Sequence, residues 1–173
     1  MPIILKGVTT WEDAVLAAEA GVQGIVVSNH GGRQLDTAPS GLEALVEITT
    51  KLRERGLWPN PKFEIFMDGG VKRATDVLKA IALGASGVGI GRGFLYSFCA
   101  YGQEGVEHAF DLLNDEFQLN MRLLGVSKLS DLQPGMVNTS KLYSSSESRT
   151  YSECAPFLCG TDATFPIDES VKL

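Results

Sequence analysis

Gly21-Val22-Gln23-Gly24-Ile25-Val26-Val27 decides the fold of this 173-residue chain. A glycine suited to ending a helix in left-handed geometry leads through a short turn into a continuous apolar run. The pattern returns 63 residues later as Gly84-Ala85-Ser86-Gly87-Val88-Gly89-Ile90. That offset spans two strand–helix units, so the repeat predicts parallel strands joined by helices. Continuous rather than alternating apolar strands predict a sheet covered by protein on both faces.

Outward from the repeat, the chain reads as four βα units. Residues 2–5 form a short strand, and Thr10 with Asp13 three positions on opens a helix that stops at Gly21. Ser40 and Glu43 open a second helix, which carries Leu42, Leu45, Val46, Thr49 and Leu52 on one face and ends at Gly56. Phe63–Met67 reads as a strand, Lys72–Gly84 as a helix, and residues 87–90 as a fourth strand. A last helix is expected over Gly105–Leu124, with Val106, Ala109, Phe110, Leu113 and Phe117 on its apolar face. The periodicity fades from Ser127, and the serine-rich stretch Tyr143–Tyr151 reads as a solvated tail or linker. The expected organisation is an α/β unit over residues 1–133 and a partly irregular tail over residues 134–173.

Composition bounds the function. Hydrophobic residues make up 44% and charged residues 21%, as in ordinary folded domains. A net charge of −6 argues against a nucleic-acid partner, and no apolar run is long enough to span a membrane. The start, Met1-Pro2-Ile3-Ile4-Leu5, is too short for a secretory signal. Cys99, Cys154 and Cys159 are odd in number without CxxC spacing, which points to free thiols in a reducing compartment. The final Val-Lys-Leu misses the Ser-Lys-Leu peroxisomal address at Val171, so a cytoplasmic or mitochondrial location is expected over a peroxisomal one.

Polar motifs fall at the C-terminal end of every expected strand, which is where α/β barrels build their sites. Ser28-Asn29-His30-Gly31-Gly32-Arg33-Gln34-Leu35-Asp36 follows the second strand. There His30 suits a proton-accepting base, and Arg33 suits a two-pronged carboxylate clamp. Asp36 reads as a turn cap. Asp68-Gly69-Gly70 suits a ligand hydroxyl with close backbone approach, Gly91-Arg92 suits a phosphate, and Lys6 places positive charge beside an electron-accepting ring. No metal-ligand spacing is present, and neither GxGxxG nor GxxxxGK[ST] occurs, so metal, Rossmann and P-loop sites are not expected. His108 reads as an ordinary helix residue. Four units are half of an eight-unit barrel, which typically needs about 250 residues. The chain is therefore expected to be a fragment, a half that pairs with another copy, or a different open sheet, with two unpaired edges and an uncovered inner face.

Together Leu5-Lys6-Gly7-Val8, Ser28–Asp36, Asp68-Gly69-Gly70-Val71 and Gly91-Arg92 resemble the FMN-dependent α-hydroxy acid dehydrogenases and oxidases, over about residues 3–133. Asp76–Ala80, Phe94-Leu95-Tyr96 and Met121–Val126 are similar to the fungal flavocytochrome type. The resemblance implies the C-terminal half of a TIM (βα)8 barrel, FMN as cofactor, and oxidation of an L-2-hydroxy acid to a 2-keto acid. It implies His30 as base and Arg33 as substrate-carboxylate clamp. Lys6 would face the N1 and O2 edge of the flavin, and Ser28 would contact its ring. Asp68, Gly69, Gly70, Val71 and Lys72 would line the ribityl chain and phosphate, with Gly91 and Arg92 holding the phosphate.

Lys72 stands where the family usually has arginine, keeping the charge but losing the fork, and Gly93 stands where it usually has proline. The family's first four units, with an aspartate that orients the histidine, are not in this sequence. The resemblance thus implies weak FMN binding and little turnover by the chain alone; the alternative is a catalytically incompetent half-barrel that acts by assembly or not at all. Full-length members are often homo-oligomers, and the electron acceptor is left open between oxygen and cytochrome. An inosine-phosphate dehydrogenase type of barrel would want a catalytic cysteine loop, for which Cys99 is poorly placed.

Overall fold

Ile25 and Val27 on one strand, and Ile65 and Met67 on the next, are almost fully buried while the residues between them are not. That alternation decides how the sheet is covered. The computed structural model describes residues 1–142. Four strands, β1 (Ile4–Val8), β2 (Gly24–Val27), β3 (Glu64–Asp68) and β4 (Gly87–Gly89), lie parallel in the order β1-β2-β3-β4. Helices α1 (Trp11–Glu19), α2 (Gly41–Glu54) and α3 (Ala74–Ala82) connect them, and α4 (Arg92–Leu124) follows. These are the expected parallel βα units, with strand limits moved by one to three residues.

The helix starts are set locally. Thr10 Oγ1 accepts from the Asp13 backbone N–H at 3.4 Å. Ser40 and Glu43 form a reciprocal box, at 3.3 Å from Glu43 N to Ser40 Oγ and 2.8 Å from Ser40 N to Glu43 Oε2. Such caps are each worth about 1 kcal/mol. Gly21 and Gly84, the glycines of the sequence repeat, have φ of 75° and 115°, the left-handed region in which side chains with a Cβ are strained.

The expectation of a sheet covered on both faces is corrected here. Ile25, Val27, Ile65 and Met67 pack against Ala14, Ala17, Leu45, Ile48, Leu52 and Leu83. On the other face, the register aligns Ile4 with Gly24 and Glu64, and Lys6 with Val26 and Phe66. Ile4, Lys6 and Glu64 are exposed, and Val26 and Phe66 are half-buried. Apolar run length does not distinguish a two-sided sheet from one whose inner face awaits a ring of further strands. Neither β1 nor β4 has a neighbour on its outer edge among the described residues, as expected for half a ring.

Gly7 interrupts the β1–β2 register: Lys6 pairs with Val26, but Val8 pairs with Val27. Gly7 is the extra residue of a bulge, with φ of 99° that glycine tolerates. The bulge turns Val8 into the helix-covered core and leaves Lys6 on the open face.

The last helix also begins earlier than expected. It starts at Arg92 and breaks at Tyr101–Gly102, where Gly102 has φ of 62° and ψ of −144°. The two segments fold back on one another: Phe94 and Phe110 stack with centroids 4.4 Å apart, and a Cβ on Gly105 would overlap the Ser97 carbonyl. The face expected to be buried is only partly so, with Phe110 exposed and Val106, Ala109, Leu113 and Phe117 half-buried. Leu78 and Ala82 of α3 pack with Phe117, Met121, Val126 and Leu132 in a second cluster, which Val137 also joins. The serine-rich stretch, Cys154 and Cys159 lie outside the described residues.

A one-sided core makes a contrast that unfolding can read. Ile65→Ala should cost about 2–5 kcal/mol in urea denaturation of the chain, while Ile4→Ala on the open face should cost under about 1 kcal/mol. Equal losses would mean that the inner face is packed.

Candidate active site

Ser28, the first residue past β2, is 2% exposed. A hydroxyl has one proton to give and two lone pairs to offer. Here all three are used. Ser28 Oγ donates to Asp68 Oδ1 at the end of β3, accepts from Lys6 Nζ of β1 at 3.1 Å, and accepts from the backbone N–H of His30 at 3.1 Å. Lys6 Nζ also lies 3.3 Å from Asp68 Oδ2. One hydroxyl therefore ties together three adjacent strands and the loop that carries the histidine.

That loop runs through three consecutive left-handed residues, His30, Gly31 and Gly32, with φ of 57°, 67° and 71°. Two glycines make this turn accessible; for the histidine it costs on the order of 1–2 kcal/mol. Ser28 Oγ holds its amide, and Asn29 locks the rest: its Oδ1 accepts from Gly32 N at 3.0 Å and its Nδ2 donates to the Pro39 carbonyl at 3.0 Å. The imidazole is left exposed, and no side chain among the described residues is hydrogen-bonded to it. Arg33 is likewise exposed. Asp36 Oδ1 accepts from Thr37 N at 2.9 Å, the turn-capping role read from sequence.

Lys6, His30, Arg33, Asp68, Gly69, Gly70, Val71, Lys72, Gly91 and Arg92 all line one open groove of about 760 Å³, in the range of small-ligand sites. Of the residues singled out from sequence, Ser28 alone sits behind this wall rather than on it. Gly93, noted from sequence as replacing the family's proline, lines it too, as do Gly89, Ile90 and Tyr96, which were not foreseen; Tyr96 follows from the helix that starts at Arg92 rather than Gly105. Gly89 gives a recognisable signal in retrospect, because a Cβ there would come within 3.2 Å of the Asp68 Cβ. Arg92 reaches across to donate to the Gly31 carbonyl at 2.5 Å, one of its five N–H donors.

The loop from Asp68 to Lys72 is anchored at its far end. Asp76 Oδ2 accepts from the backbone N–H of Lys72 and of Arg73, both at 3.1 Å. Glu116 of α4 takes the Arg73 side chain at 2.8 and 2.5 Å and the Ala74 N–H at 3.0 Å. The hydrogen bond from Arg73, then the Ala74 amide, holds the Glu116 carboxyl below the ordinary glutamate value, and Glu116 raises Arg73 in turn. Neither residue was singled out from sequence, since the pair is 43 positions apart.

The groove has a chemical polarity. Cations stand at both sheet margins, Lys6 on the first strand and Lys72 and Arg92 around the last two, with side-chain-free glycines between them. A flat ring with an anionic tail fits such a surface. Among the described residues there is no cluster of metal-ligating side chains, and no helix is long and apolar enough to cross a membrane.

Comparison with known proteins identifies the family. The family model described as FMN-dependent dehydrogenase matches residues 1–139. L-lactate dehydrogenase (cytochrome) of Wickerhamomyces anomalus is 54% identical over 143 residues, covering 83% of this chain and 25% of the relative. Glycolate oxidase 5 of Oryza sativa subsp. japonica is 48% identical, over 80% of this chain and 36% of the relative. The crystal structure of the flavin-binding domain of baker's yeast flavocytochrome b2 superposes with a TM-score of 0.79 at 51% identity, covering 83% of this chain and 36% of that one. The chain thus spans about a quarter to a third of the length of these proteins.

Ser28→Ala tests the junction. It removes the acceptor of the His30 amide and strands part of the Lys6–Asp68 pair, so stability should fall by about 1–3 kcal/mol. Hydrogen exchange at the His30 amide should accelerate while the amides of α2 keep their protection relative to global stability; unchanged exchange at His30 would count against the assignment.

Proposed function

We propose, since this chain belongs to the FMN-dependent dehydrogenase family, that its groove is one wall of a flavin site for oxidising an L-2-hydroxy acid, lactate or a near analogue, to the 2-keto acid. The observation that carries this reading is the convergence of Lys6, Asp68 and the His30 loop on the hydroxyl of Ser28, beside a glycine-lined groove with Lys72 and Arg92 at its other margin.

FMN, when bound, would supply the acceptor for the two electrons and one of the two protons that leave the hydroxy acid. The residues of this chain do the rest. Lys72 and Arg92 hold the phosphate, Gly69 and Gly70 let the ribityl chain approach, and Lys6 sets positive charge at the ring edge. Lys72 is a point charge rather than a fork, so it contributes attraction more than orientation. His30 takes a proton from the substrate, and Arg33 pairs with the substrate carboxylate. Holding the carboxylate by one residue and the base by a locked turn three positions earlier fixes the substrate relative to the base.

The described units build one side of this site. The exposed face of Ile4, Lys6 and Glu64 and the edges of β1 and β4, unpaired among the described residues, favour completion by further strands. With only this wall, the imidazole has no partner among the described residues to set its tautomer, and water reaches the reacting atoms. The chain by itself should therefore bind FMN weakly and show no measurable lactate- or glycolate-dependent dye reduction. Stoichiometric flavin in the purified chain, with substrate-dependent dye reduction, would sink that proposal.

In a barrel completed with four further βα units from a family member, dye reduction should appear. His30→Gln in that assembly should lower kcat by about 10²–10⁴-fold while FMN stays bound. Full turnover without the imidazole would remove His30 from the role of base.

A further inference from the structure

We propose that Glu116 is a positioning residue for the FMN phosphate: it pins Arg73 outside the groove and holds the Asp68–Lys72 loop so that Lys72 is the cation it presents. This rests on the flavin-site reading above and names a residue outside the groove wall that would set its affinity.

Two cations follow one another at the end of the loop, and the fold treats them differently. Lys72 lines the flavin groove as well as the hollow that adjoins it, whereas Arg73 lines the hollow alone, together with Glu116. One Glu116 oxygen takes both Nε and Nη2 of Arg73, and the other takes the Ala74 N–H. Asp76 takes the amides of Lys72 and Arg73. The backbone N–H groups of Lys72, Arg73 and Ala74 at the start of α3 thus all end on protein carboxylates. At the start of α4 the situation is reversed: Gly91, Arg92 and Gly93 line the groove. An anion is directed toward α4 and the Lys72 ammonium, away from α3.

The Arg73 end of the ion pair is 71% exposed and contributes little to folding, while Glu116, 21% exposed, also holds the Ala74 N–H at the start of α3. The consequence is geometric, because Glu116 reaches from α4 to the residue next to Lys72 and fixes where the loop ends.

The test is a flavin-fluorescence titration of the 173-residue chain with FMN and with riboflavin, which lacks the phosphate. The wild-type chain should bind FMN more tightly than riboflavin. Glu116→Gln should lower that preference about tenfold, the low end of what the outer partner of a binding group is worth at metal sites, and leave riboflavin binding unchanged. Arg73→Gln, which spares the Ala74 bond, should lower it about threefold and serves if Glu116→Gln fails to fold. An undiminished preference in both variants would overturn the role of Glu116. A wild-type chain that does not distinguish FMN from riboflavin would instead overturn the flavin-site reading on which it rests.

Discussion

The hydroxyl of Ser28 is the constraint on which the site depends. It is buried, and its one proton and two lone pairs are all engaged by groups from the two strands on either side and from the histidine loop. An unmet hydroxyl in that position would cost about 1–3 kcal/mol, so the three partners are held as a set rather than singly. The set includes the amide of a histidine in left-handed geometry, a conformation that persists only where its surroundings over-determine it. Placing His30 and placing the charged floor of the groove are, at this point, one structural event.

The rest of the fold supplies rigidity from one direction. Helices α1, α2 and α3 bury one face of the sheet, and the strand ends rise from that packed layer as a row of fixed positions. The bulge at Gly7 keeps Lys6 off the packed side, and the anchors at Asp76 and Glu116 fix the far end of the Asp68–Lys72 loop. Among the described residues the other face of the sheet and both its edges have no strand neighbours, the architecture of half a ring with a site on its rim.

What could be read from sequence was mostly local. Thr10 with Asp13, Ser40 with Glu43, and the glycines at 21 and 84 announced helix ends through backbone chemistry that operates over three or four residues. The strand-end motifs announced the groove because a parallel sheet brings all its C-terminal ends together. Less legible were features made by distant pairs: Glu116 with Arg73, Phe94 with Phe110, and Arg92 with Gly31. The helical turn from Arg92 to Ala100 was missed because glycines at 91, 93 and 102 surround a weakly patterned stretch whose Leu95, Tyr96 and Phe98 stay exposed. The two-sided sheet was misread because run length alone does not record which neighbours complete it.

The most direct test of the account is an amide chemical-shift map of the isotope-labelled chain titrated with FMN. The account predicts shifts concentrated at His30, Gly69, Gly70, Lys72 and Arg92, around the Lys6–Ser28–Asp68 junction, even if the affinity is weak. Shifts confined to α1 and α2, or none at the strand ends at saturating FMN, would contradict it.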